Sequence, residues 1–245
     1  MNIIRTIVVW ILIAGTIIIL FPVSFVIWLL LYPIDHERAA IHWWLVYECC
    51  FIIKLSPIWK ISVEGREKAA KKTPYIIISN HQSLLDILIM HLLRYRWKWI
   101  SKIENNKIPF LGWYMVMAKY IYVDRGNKDS KAEMMRKCEE SLRKGISVLM
   151  FPEGTRSHDM EIGPFKLGAF QLALMTDKSI LPVVLDGTGG LLPKHGLIFK
   201  GRKRLKIKVL DPVHPGSFGT ANPEELAAKF RNMMVDELKK MREIK

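Results

Sequence analysis

The chain is short of acid, short of cysteine and, near its N-terminus, almost without charge. Against 37 Lys and Arg stand 23 Asp and Glu, a formal net charge of +14 at pH 7 over 245 residues. So basic a chain seeks an anionic partner: a membrane surface, a phosphorylated substrate or nucleic acid. The three cysteines, Cys49, Cys50 and Cys138, are odd in number and include an adjacent pair. That count is no disulfide framework, and none of them has metal-ligand spacing. Reduced thiols in a cytoplasmic setting are the simpler reading. No Gly-rich nucleotide loop and no His/Cys/Asp/Glu cluster stands out, so neither a metal nor a bound cofactor is expected. The Gly-x-Ser-x-Gly setting of a hydrolase nucleophile is missing too, which argues against a lipid hydrolase.

What is present begins with an apolar run. From Thr6 to Tyr32 no residue is charged. As a helix this run would be about 40 Å long, against a hydrocarbon core of about 30 Å, so it spans with tilt or bends at Pro22. No small-residue cleavage site follows it, which argues against a signal peptide. A second apolar stretch, Ala39 to Leu55, places Trp43, Trp44, Tyr47 and Phe51 at spacings that share a helical side. Such a helix suits headgroup depth in a membrane; a core helix of a soluble domain has the same pattern. A greasy N-terminus does not help a protein find DNA, so nucleic acid ranks last among the anionic partners.

After Gly65 short apolar runs alternate with amphipathic stretches. Expected strands are 75–79, 97–101, 120–123, 146–151, 180–185 and 205–210. Expected helices are 84–93, 110–117, 130–143, 167–175 and 223–241. Strands alternating with helices predict an α/β fold, a largely parallel mixed sheet flanked by helices, behind an N-terminal two-helix membrane motif. The chain divides into a membrane-associated helical motif at 1–63 and a catalytic domain at 64–245. The basic loop with Arg66, Lys68, Lys71 and Lys72 lies at the join. Four strands run into polar residues: Asn80-His81, Asp124-Arg125, Pro152-Glu153-Gly154-Thr155-Arg156 and Asp186-Gly187-Thr188. Open α/β sheets bind ligands outside their carboxyl strand ends, so parallel strands would gather these residues at one edge.

Two of those ends carry chemistry. In Asn80-His81-Gln82-Ser83-Leu84-Leu85-Asp86, Ser83 and Asp86 read as a capping box opening a helix. A loop His81 can fold back on the first-turn carboxylate of Asp86, leaving its second nitrogen free as a base. The competing reading is a helix cap beside a satisfied loop histidine. In Phe151-Pro152-Glu153-Gly154-Thr155-Arg156, the Arg156 guanidinium and the turn amides at Gly154 and Thr155 suit a phosphate. A structural ion pair with Glu153 is the alternative.

Together these segments resemble the glycerolipid acyltransferase family, specifically the bacterial 1-acyl-sn-glycerol-3-phosphate acyltransferases. The first matches the family's His-x4-Asp motif, with Asn80 in support. Gly112 to Arg125 resembles the second motif, the Glu153–Arg156 stretch the third, and Leu181-Pro182-Val183 the fourth. The resemblance implies that His81 deprotonates a lysolipid hydroxyl while Asp86 orients it. It implies that Arg125, with Lys119, contacts the acceptor phosphate. Pro182 would wall the acyl site or sit in a core strand. The implied reaction moves a fatty acyl group from acyl-CoA or acyl carrier protein, co-substrates rather than bound cofactors, to the sn-2 hydroxyl of lysophosphatidic acid. Another lysolipid acceptor, or a non-catalytic membrane-binding protein of the same fold, are the alternatives. Two basic stretches, Arg94–Trp99 and Lys200–Lys208, are expected to meet anionic membrane phospholipid. Arg5 precedes the first helix while the turn at Asp35–Arg38 is not rich in cations. The catalytic domain is therefore expected on the cytoplasmic face of the inner membrane.

Overall fold

The computed structural model describes residues 2–243 except 57 and 71, so Lys71 of the basic join lies outside the described residues. Helices α1 (Asn2–Leu31) and α2 (Ala39–Leu55) form a hairpin. Among the described residues α1 alone is long and apolar enough to cross a membrane. Ile4, Ile11, Ile19 and Leu30 of α1 are exposed, while Val9 is buried and Trp10, Ile13, Ile17 and Phe21 pack on the core. The tight turn between the helices is held by Asp35, whose carboxylate caps α2 through the amides of Ala39 and Ala40 at 2.9 and 2.8 Å.

The sheet has seven strands: β1 (Trp59–Glu64), β2 (Ile76–Ser79), β3 (Trp97–Lys102), β4 (Ile121–Val123), β5 (Ser147–Met150), β6 (Ile180–Asp186) and β7 (Lys203–Val209). Their order is β1-β7-β6-β2-β5-β3-β4, and every neighbouring pair is parallel except β6 with β7. Helices α3 (Leu85–Met90), α4 (Leu111–Met117), α5 (Lys128–Arg143), α6 (Gly168–Thr176), α7 (Thr188–Leu191) and α8 (Pro223–Glu243) surround it. The mostly parallel α/β architecture and the two-helix N-terminus are those expected from the sequence. β2 sits between β5 and β6 and is buried at all four positions, as a strand covered on both faces must be. The short apolar run Ile76-Ile77-Ile78 is the sequence form of that burial. Side chains at Asn127 and Asn222 cap the amides that open α5 and α8.

β1 is absent from the expected strands, and the expected boundary at 63/64 falls inside it. Trp59, Ile61 and Val63 alternate with polar residues, the period of a strand with one face covered. The alternation is short and follows directly on an apolar helix, which hides it. Among the described residues β1 pairs only with β7, at the sheet edge.

The Arg94–Trp99 stretch is not the exposed patch expected. Trp97, Lys98 and Trp99 are buried in β3. Lys98 Nζ reaches back to the hairpin turn, donating to the Glu37 carbonyl at 2.9 Å and to the Ala118 carbonyl at 2.8 Å. Burial pushes its ammonium down to about 8. Lys144 Nζ meets the Glu37 carboxylate at 2.7 Å, so the hairpin turn is clamped to the sheet by cations. At the other end of α1, Trp10 Nε1 donates to the Leu197 carbonyl at 2.8 Å. In the second basic stretch Lys203 and Arg204 are exposed, whereas Lys208 pairs with Glu237 at 2.5 Å.

Candidate active site

Because β2, β4, β5 and β6 run in one direction, their carboxyl ends open on one edge. His81 leaves the end of β2, and α3 begins four residues later with Asp86 in its first turn. His81 Nδ1 lies 2.8 Å from Asp86 Oδ2. A carboxylate only accepts, so Nδ1 carries the proton and Nε2 keeps its lone pair. Asp86 is wholly buried, and its Oδ2 also accepts from the amides of Gln82 at 2.6 Å and Ser83 at 2.8 Å. Its Oδ1 accepts from the Thr188 hydroxyl at 2.5 Å. The two oxygens thus hold four donors from two segments, residues 81–83 and Thr188, which leaves the carboxylate one orientation. The expected cap is made with one change of partner: Asp86 accepts from Ser83 N, while the Ser83 hydroxyl accepts from the Leu85 amide at 3.3 Å and donates to the Leu192 carbonyl at 2.7 Å.

Asn80 grips the neighbouring strand, exchanging hydrogen bonds with Leu185 at 2.9 and 2.8 Å. Glu153 is buried and accepts from the His81 amide at 2.8 Å and the Gly163 amide at 3.0 Å. Burial pushes its carboxyl up, against the pull of those two amides. It therefore shapes the loop rather than pairing with Arg156. Phe151 lies flat against the His81 ring, a contact no sequence signal specifies.

A cleft of about 880 Å³ opens beside this pair, between the hairpin and the sheet with its helices. Ile13 and Ile17 of α1, Leu85 and Leu88 of α3 and Phe110 make apolar wall, and His81 lies on its lining. Arg125, Gly154, Lys166 and Lys131 line it as well. Arg125 is exposed and its guanidinium donates to the Gly154 carbonyl. Gly154 has φ +70, and a Cβ there would meet Lys166 Cε and Nζ at 2.8 Å, so glycine suits both the turn and the passing lysine. Lys166 has no local sequence signal; it reaches the site only because the loop after β5 returns.

The other expected residues fall apart from this group. Lys119 Nζ donates to the His36 carbonyl at 3.0 Å and belongs to the hairpin clamp. Thr155 is exposed and Arg156 half-buried, and neither lines the cleft. Arg156 adjoins Ser157, whose amide donates to the His81 carbonyl at 2.8 Å. Pro182 is buried in β6 opposite Ile78, which makes it a core strand residue.

The chain resembles known proteins over most of its length. Residues 60–186 match the family model described as Acyltransferase. A chloroplastic 1-acyl-sn-glycerol-3-phosphate acyltransferase of Arabidopsis thaliana is 38% identical over 74% of this chain and 51% of its own. The 1-acyl-sn-glycerol-3-phosphate acyltransferase of Saccharomyces cerevisiae is 35% identical over 81% of this chain and 66% of its own. The chain thus spans about half the length of the plant relatives it matches. The crystal structure of the 1-acyl-sn-glycerophosphate (LPA) acyltransferase PlsC from Thermotoga maritima superposes with a TM-score of 0.80 at 25% identity, over 98% of this chain and 96% of that one. With more than half of its length inside the family model, and His81 and Asp86 joined at the end of a central strand, the chain belongs to the acyltransferase family.

Proposed function

We propose that this protein transfers a fatty acyl group from a thioester, acyl-CoA or acyl carrier protein, to the sn-2 hydroxyl of 1-acyl-sn-glycerol-3-phosphate, giving phosphatidic acid. The observation that carries the reading is the His81–Asp86 pair beside an apolar cleft whose lining also holds Arg125 and Lys166. The names of the relatives agree with it.

In this mechanism His81 Nε2 takes the proton of the acceptor hydroxyl as its oxygen attacks the thioester carbonyl. The new C–O bond forms, the C–S bond breaks, and the thiolate leaves with the proton held by His81. Asp86 keeps the ring in the productive tautomer and faces the imidazolium that forms. General-base catalysis of this kind contributes about 10²–10⁴ in rate. Arg125 and Lys166 bind the acceptor phosphate, aided by the turn at Gly154. Arg156, at the same strand end, supplies further positive charge to the site. The acyl chain lies along the cleft wall made by α1. That helix holds the site at the membrane surface, with the basic domain on the cytoplasmic face of the inner membrane.

Purified protein with labelled acyl donor and a panel of lysolipids tests the reading. Transfer to lysophosphatidic acid above all other acceptors is expected. Transfer to a different lysolipid moves the acceptor while keeping the chemistry; release of free fatty acid alone, or no turnover, contradicts it.

A further inference from the structure

The C-terminal helix α8 sends two arginines toward the loop that follows β5. Arg231 forks across two adjacent carbonyls, Nε to Gly163 at 2.9 Å and Nη2 to Ile162 at 2.8 Å. Arg242 spreads over three acceptors: the Met160 carbonyl at 2.9 Å, the Glu161 carboxylate at 2.5 Å and the Asp186 carboxylate at 3.1 Å. Residues 160–163 are thus held from outside by one helix.

The same residues touch the catalytic pair from inside. The Gly163 amide binds Glu153, which holds the His81 amide. The Met160 carbonyl takes a hydrogen bond from Gln82 Nε2 at 3.1 Å, beside His81. Asp186, the second anchor of Arg242, stands two residues before Thr188, whose hydroxyl fixes Asp86. One arginine therefore braces both arms of the site, the one behind His81 and the one behind Asp86.

Resting on the acyl-transfer reading of His81, we infer that Arg231 and Arg242 are positioning residues that hold the His81–Asp86 pair in register without touching substrate. α8 itself does not depend on them. Leu226, Phe230, Met234, Leu238 and Met241 recur at helical spacing and are buried in the core against which the helix packs. Loss of the arginines should leave the helix docked and the loop slack. Small displacements of catalytic groups cost far more rate than stability.

The test uses the full chain carrying Arg231→Gln and Arg242→Gln together, with Arg231→Lys and Arg242→Lys beside it and Lys239→Gln, on the exposed face of the same helix, as a control on exposed charge. Two quantities are read in protein of confirmed melting temperature: acyl transfer with each substrate varied, and the rate at which diethyl pyrocarbonate modifies His81, followed by mass spectrometry. The double glutamine variant should lose about tenfold or more in kcat with acceptor KM changed less than about threefold, as expected of misplaced reacting groups. Its His81 should be modified several times faster. Each lysine variant should fall between, since one ammonium cannot bridge the carbonyls that a guanidinium fork does. A folded glutamine variant with wild-type kcat and wild-type His81 modification overturns the inference, as does an equal loss in the Lys239→Gln control. If the wild type transfers no acyl group, the functional reading fails, while His81 modification still decides whether the brace exists. If the double variant does not fold, the two single glutamine variants are read in the same way.

Discussion

The ring of Phe151 is stacked on the imidazole of His81, centroids 3.9 Å apart and planes 9° from parallel. Phe151 in turn touches Trp99 of β3 at 5.6 Å, so the imidazole is backed by an aromatic wall and tethered at its edge by Asp86. A ring held on its face and at Nδ1 has one place for Nε2. Phe151→Ala should therefore cost roughly ten- to a hundredfold in kcat through misorientation. Because Phe151 is only half-buried, the stability loss should be modest, about 1–3 kcal/mol. Phe151→Tyr, which keeps the ring, should retain most activity. Steady-state kinetics beside thermal melts check this.

Thr188 acts on Asp86 as Phe151 acts on His81. Its buried hydroxyl gives the carboxylate its only donor from β6's end among the described residues. Thr188→Val keeps the shape and removes the bond. Hydrogen bonds to charged groups are worth about 1.5–3 kcal/mol, so a fall in kcat of roughly tenfold is expected. Thr188→Ser should restore it. Equal activity in the valine and serine variants would mean that the hydroxyl does not orient Asp86.

The two basic residues that flank β4 should behave differently. Arg125→Ala should raise the KM for a phosphorylated acceptor by roughly tens-fold, the worth of a charge-assisted contact. Lys119→Ala should leave that KM near wild type. Its ammonium is spent on the His36 carbonyl, so the loss should appear as looser attachment of the hairpin turn, read by proteolysis near residue 36. A matching rise in KM for both variants would return Lys119 to the phosphate site.

His91 gives the fold a pH dependence. It is buried beneath Trp97 and Trp99, with Nδ1 on the Ile87 carbonyl at 2.8 Å, and burial pushes its imidazole down to about 4. The unfolded chain titrates near the ordinary value of about 6.5, so below that pH it binds the proton that the native state refuses. The contribution is therefore complete above pH 6.5 and lost as pH falls towards 4, by up to about 3 kcal/mol. Denaturant melts from pH 7.5 to 4.5 should show this slope, and His91→Leu should make it shallower.

Much of this was legible in sequence because parallel sheets write themselves as short buried runs followed by polar ends. Ile76–Ser79 and Ser147–Met150 are such runs, and the residues after them do meet. His81 and Asp86 are close in sequence, so their contact could be named from a helix start, but a plain cap beside a satisfied histidine fitted as well until the second motif and the family resemblance chose between them. Lys166, Phe151 as a stacking partner and the arginines of α8 act across long separations, where no local period reports them. Lys98 misled for the opposite reason. A lysine between aromatic residues looks like a surface cation, yet its acceptors are carbonyls of Ala118 and of the distant hairpin turn. Edge strand β1 failed because its alternation is brief and abuts an apolar helix.

The central claim is that His81 is the base, held by Asp86. The most direct measurement is transfer of labelled acyl group to lysophosphatidic acid by purified His81→Ala, with its melting temperature taken on the same preparation. His81 sits in a loop with its side chain partly open to solvent, so the variant should fold as the wild type does. A loss of about 10²–10⁴ in kcat with little change in melting temperature is expected. Folded His81→Ala protein that turns over near the wild-type rate would contradict it.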